Sequence, residues 1–192
     1  MNSLIDILPV LLAGLSSLIL FIKKKWRWNI LAMAAIYVSV FWMVLQVWPT
    51  GLAVIKLIAG WMAGAILGSA VKEDSELLVE DNKVEQRFKF VIVMIIWIFS
   101  FSIMQSLKIK LPIPDSLLWG GVLLIIMGIL QIGMSTRPVR IIFGLLTAFS
   151  GFEVLYAGVE QSVLVAGFLV IITLGIALVG VLFIQQEEGE IV

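Results

Sequence analysis

Seven long runs of almost uninterrupted apolar residues decide what this chain can fold into. They fall at about 4–22, 28–48, 52–71, 90–107, 116–134, 139–158 and 162–184. A helix of about 17–25 such residues, rising 1.5 Å per residue, crosses a hydrocarbon core about 30 Å thick. Lipid offers no partner for backbone N–H and C=O groups, so only helices or closed barrels can span it. Barrel strands alternate apolar with polar residues, and these runs do not. The expected fold is therefore all-α: one polytopic integral membrane domain over residues 1–192, a bundle of about seven transmembrane helices. Composition agrees, at 61% apolar and 14% charged, where a soluble domain is nearer half and a quarter.

The basic residues predict an orientation. The first connection carries Lys23, Lys24, Lys25 and Arg27, the third Lys72, Lys83, Arg87 and Lys89, and the fifth Arg137 and Arg140. The even-numbered connections carry only Lys108 and Lys110. Lysine and arginine mark the inner side, so the N-terminus is expected outside and the C-terminus inside, in a multi-pass protein of a bacterial-type cell (plasma) membrane. Only an odd number of spans satisfies this. Residues 1–6 lack a basic leader and contain Asp6, so the first run reads as a retained helix and not a cleaved signal. Residues 72–89 read as a cytoplasmic charged loop and 185–192 as an acidic cytoplasmic tail. Within the loop, Leu77, Val84 and Phe88 sketch a weakly amphipathic helix for the membrane surface or a soluble partner, with a solvated connector as the alternative. Trp26, Trp28, Trp48 and Trp119 fall near expected interfaces.

Two charges stand inside the runs, Lys56 and Glu153. Each is about five residues in from the expected outer end of its span, a depth of roughly 8 Å. Equal depth and opposite sign predict that they pair, either as a structural ion pair or as a proton or ion relay; a Lys56 that snorkels to the surface is the further alternative. Gly60, Gly64 and Gly68 form overlapping GxxxG spacings, which let another helix approach closely. Gly144, Ala148 and Gly151, with Thr147, form a small-residue face in the sixth run, and Glu153 points away from it. That helix is therefore expected to be contacted on both sides, as the centre of the bundle or as a bridge to another subunit. Gln46, Gln105 and Gln131 are placed for hydrogen bonds between helices, and Asp6, Asp115 and Glu160 for an outer carboxylate cluster should their loops converge.

Much chemistry is excluded. The chain has no Cys and no His, which removes thiolate nucleophiles, disulfides, most zinc, copper and haem sites, and the usual general base near neutral pH. No phosphate-binding glycine loop and no metal-ligand spacing occurs, so neither cofactor nor metal is expected. Thirteen basic residues balance thirteen acidic ones, so charge gives no argument for nucleic acid.

The segment RPVRIIFGLLTAFSGFEVLYAGVEQSVLVAGFLVIITLGIALVG resembles the small K-type membrane subunits of respiratory complex I and the E-type subunits of membrane-bound hydrogenases. These carry a basic residue, an apolar helix with a buried glutamate, a short outer turn and a second helix. The resemblance covers about 137–180 and implies that Glu153 matches a proton-handling glutamate, although it stands thirteen residues after Arg140, about one turn later than in that pattern. Three functions follow as expectations. The first is a non-catalytic membrane subunit or scaffold of a larger complex, with other membrane subunits or copies of itself as partners. The second is an ion- or proton-conducting element using Glu153 and Lys56. The third, a membrane enzyme, is disfavoured by short loops and the missing reactive residues.

Overall fold

The computed structural model describes residues 2–23, 25–70 and 83–190. Among these the chain is all-helical, with seven helices and no strand. They are α1 (Asn2–Ile22), α2 (Trp26–Val44), α3 (Thr50–Ala70), α4 (Lys83–Lys108), α5 (Asp115–Gly133), α6 (Pro138–Val159) and α7 (Val163–Glu190). Six of them, α2 to α7, are long and apolar enough to cross a membrane. α1 carries an apolar stretch at Asp6–Ile22 and packs among them, against α2, α4 and α5.

The breaks between helices have local causes. Pro49 lacks an N–H to continue α2, and its carbonyl instead accepts from Leu52 and Ala53 to start α3. Pro114 does the same for Leu117 and Leu118 at the start of α5. Asp115, in the first turn of α5 where negative charge is favoured, accepts from Lys108 Nζ at 2.5 Å and closes the α4–α5 connection. Pro138 opens α6, where its missing N–H costs nothing.

Two segments differ from the sequence expectation. Residues 83–89, expected within a charged loop, are the first turns of α4, and residues 185–190, expected within the tail, continue α7. A helix supplies its own backbone hydrogen bonds outside lipid as well as inside it. Hydropathy therefore marks where the apolar span ends, not where the helix ends. Lys89 shows how the extension is held: its Nζ bonds Glu85 one turn back at 2.6 Å and lies 6.0 Å from the centre of the Phe21 ring. Of the amphipathic pattern, Val84 and Phe88 are exposed on α4, and Leu77 lies outside the described residues.

The packing resolves into two rings that share a wall. α2, α3, α7 and α6 close the first, each against the next, and α1, α2, α6 and α5 close the second. α4 lies outside, on α5 and α1. α2 and α6 are thus the central helices, and α6 is contacted on both sides within this chain. The tightest approach is α5 on α6. A methyl group at Gly151 would lie 2.6 Å from the Gly121 carbonyl oxygen, and one at Gly144 would lie 2.9 Å from that of Gly128. Glycine lets these two backbones touch, so dispersion contacts accumulate along the whole face.

Both ends are laced. At one end the Trp48 indole donates to the Glu160 carbonyl at 3.2 Å and the Gln161 amide to the Val47 carbonyl at 2.9 Å. At the other, Arg140 donates to the carbonyls of Phe21 and Lys23 at 2.9 and 3.2 Å, capping the end of α1. Lys23, Lys25, Arg27, Arg87, Lys89, Arg137 and Arg140 all belong to this second, basic end, and Lys108 and Lys110 to the first.

Candidate functional site

Lys56 is the seventh residue of α3, and Glu153 is seventh from the end of α6. Because α3 starts at the end where α6 finishes, both lie at one level, about 10 Å into the bundle at 1.5 Å per residue. The structure brings them together across the first ring: Lys56 Nζ donates to Glu153 Oε1. Only 3% of Lys56 and 2% of Glu153 is exposed.

The other two helices of the ring each add a polar side chain. From α7, Thr173 Oγ1 stands 3.4 Å from the same Glu153 oxygen and 3.0 Å from the Leu169 carbonyl, so one hydroxyl proton serves two acceptors. From α2, the fully buried Tyr37 places its hydroxyl beside Thr173 and within electrostatic reach of Glu153, without reaching hydrogen-bond geometry. The second carboxylate oxygen, Glu153 Oε2, also has no hydrogen-bond partner. The site is therefore a chain Lys56–Glu153–Thr173–Tyr37 with one residue from each helix of the ring, and two of its polar atoms are unpartnered.

Lys56 and Glu153 announce themselves as charges in apolar runs. Tyr37 and Thr173 did not stand out, and the signal was weak. A threonine in a helix can satisfy itself on the carbonyl four residues back, as Thr173 does on Leu169, and a tyrosine in an apolar run reads as bulk.

The glycines of α3 act differently from their spacing. Gly60 seats the Tyr37 ring and Gly68 seats the Ile30 side chain, both from α2. Gly64, between them, has no atom within 4 Å of where a Cβ would stand. Side chains, not a second backbone, fill this face. In α6, Gly144, Ala148 and Gly151 do meet a backbone, that of α5 at Gly121 and Gly128, which the sequence reading did not single out.

Among the remaining polar residues, Gln46 accepts from Ser116 at 2.6 Å, Gln131 donates to the Leu20 carbonyl at 3.3 Å, and Gln105 is exposed on α4. Asp115 is taken by Lys108, and the Glu160 carboxylate accepts from the Gln161 N–H at 3.2 Å. Asp6, Asp115 and Glu160 are not brought together: among the described residues no group of three carboxylates could hold a metal ion.

Chemically the site offers one ammonium, one carboxylate and two hydroxyls in an apolar enclosure. It can hold a fixed ion pair, or hold and pass a proton. Fold and site together define a class, an all-helical protein of multi-pass membrane type with a buried ion pair at the centre of a helix ring. Beyond the class, no protein-family model, no curated protein and no solved structure matches the chain.

Proposed function

We propose that this chain is a non-catalytic membrane-embedded subunit or scaffold, with seven spans, its N-terminus outside and its C-terminus inside the cell membrane. The observation that carries this reading is the enclosure of Lys56 and Glu153, each at most 3% exposed, within the ring of four helices. The two charges neutralise each other and tie α3 to α6. A brace of this kind fixes which helix faces meet, a role buried ionic groups fill in some other proteins. The brace leaves outward faces of bare hydrocarbon, such as Ile95, Ile98 and Phe99 on α4, free for lipid or partner helices. The gathering of basic residues at one end supports the orientation. Purification of the tagged chain from its native membranes in mild detergent tests the subunit reading. A stoichiometric membrane partner is the expected result, and a chain that always emerges alone contradicts it.

One observation favours a second reading, a proton relay. Glu153 Oε2 and the Tyr37 hydroxyl are both buried without partners. A buried polar atom left without a partner is costly, and a proton-handling role is one reason for a protein to retain one. In liposomes a relay requires that Glu153→Gln abolish proton flux through the purified chain; equal flux in both forms removes this reading.

A further inference from the structure

α4 lies outside both rings, on α5 and α1. Its outward face carries Val84, Phe88, Val91, Ile95 and Ile98, all exposed, at alternating steps of four and three residues. Ser102 and Gln105 continue the same steps and are exposed as well. Steps of this kind keep one seam turned towards a second helix crossing at about 20°. We propose that the seam pairs with itself: α4 of one copy lies parallel to α4 of a second copy, and the chain forms a symmetric dimer in the membrane.

Two observations separate a protein partner from lipid. The first is that the seam outruns the hydrocarbon. α4 has 26 residues, and about 20 cross a 30 Å core. Counted back from Lys108, the core ends near Phe88, among the charges of Glu85, Arg87 and Lys89. Val84 lies beyond that edge and is 69% exposed, where acyl chains do not cover it. The second is Gln105, exposed on the same face near the other end, whose amide has no hydrogen-bond partner among the described residues. Such amides bond from helix to helix in a membrane. The seam also says which helix it fits. Copies of one chain share an orientation in the membrane, so two α4 helices meet in parallel, and a two-fold axis sets each residue against its own copy. A charge facing itself would forbid this, yet the seam holds none from Val84 to Gln105, and Glu85, Arg87 and Lys89 all stand off it. Valine, phenylalanine and isoleucine meet their like as hydrocarbon. An amide both donates and accepts, so the two Gln105 side chains satisfy each other. The proposal rests on α4 crossing the membrane and stands whether or not other subunits bind.

The chain has no Cys, so single-cysteine variants of the full protein in native membranes report contacts one position at a time. All the positions chosen are exposed, so folding is not at stake. Oxidation of Val91→Cys, Ile95→Cys and Ile98→Cys is expected to give a covalent dimer of the chain. Phe90→Cys, on α4 but off the seam, and Leu178→Cys, on α7, should give none, because their copies stand farther apart than the roughly 7 Å between Cα atoms that a disulfide spans. Adding Gln105→Leu to Ile98→Cys should lower the dimer yield by roughly threefold or more. The proposal is overturned if the three seam positions stay monomeric, if Leu178→Cys cross-links as readily as they do, or if they cross-link only to a different polypeptide. Copurification without any other protein would end the subunit reading and leave these cross-links as expected, so the two fail separately.

Discussion

Gly60 and Gly64 share a helix and a spacing motif, yet they should respond in opposite directions to a single methyl group. At Gly60 the methyl would collide with the Tyr37 ring, which is fully buried and has no free direction to yield. Gly60→Ala is expected to destabilise the bundle by about 1–3 kcal/mol, as overpacking does. At Gly64 nothing stands within 4 Å, so Gly64→Ala should stabilise by about 0.5–1 kcal/mol through helix propensity. Thermal unfolding in detergent compares the two, and shifts of the same sign would contradict the seating of Tyr37. Tyr37→Phe removes a hydroxyl that makes no hydrogen bond; it should leave stability unchanged or raise it slightly, since an unpartnered buried hydroxyl is a cost. A loss above about 1 kcal/mol would mean that the hydroxyl is bonded after all. The spacing of the α3 glycines was legible in the sequence, but their partners were not, because GxxxG reports that something comes close without saying whether it is backbone or side chain.

The α5–α6 pair is held by backbone contact, and the glycines at the contact, Gly121, Gly128, Gly144 and Gly151, leave no room for a side chain. Gly128→Leu would press into the α6 backbone at Gly144 and Ala148, and is expected to cost about 1–3 kcal/mol or more. Gly133→Leu, at the end of the same helix with open space around it, should cost far less. Equal losses, read from unfolding midpoints, would contradict the close approach. Helix identity was the most legible feature of the chain, because a continuous apolar run admits no other backbone. Helix length was less so: the first turns of α4 and the last of α7 are too polar to register as span, although they wind on as helix.

At the scale of the whole molecule, the proposed orientation rests on the basic residues, seven of which, from Lys23 to Arg140, the structure places at one end. Reporter tags at the two termini should therefore appear on opposite sides of the membrane, and tags on the same side would contradict seven spans. The meeting of Lys56 and Glu153 was legible from depth and sign alone. That the meeting point lies inside a ring closed by α2 and α7 was not, because hydropathy carries no information about which helices become neighbours. The tie across that ring, from α3 to α6, depends on the pair being a mutual one, and a charge exchange tests it most directly. Lys56→Glu and Glu153→Lys, made singly, each leave two like charges buried together and should each destabilise by about 3–5 kcal/mol. Made together they restore opposite signs across the same gap, and the double variant is expected to recover more than half of the summed loss. A double variant as unstable as the two single losses added together would show that the residues do not hold each other.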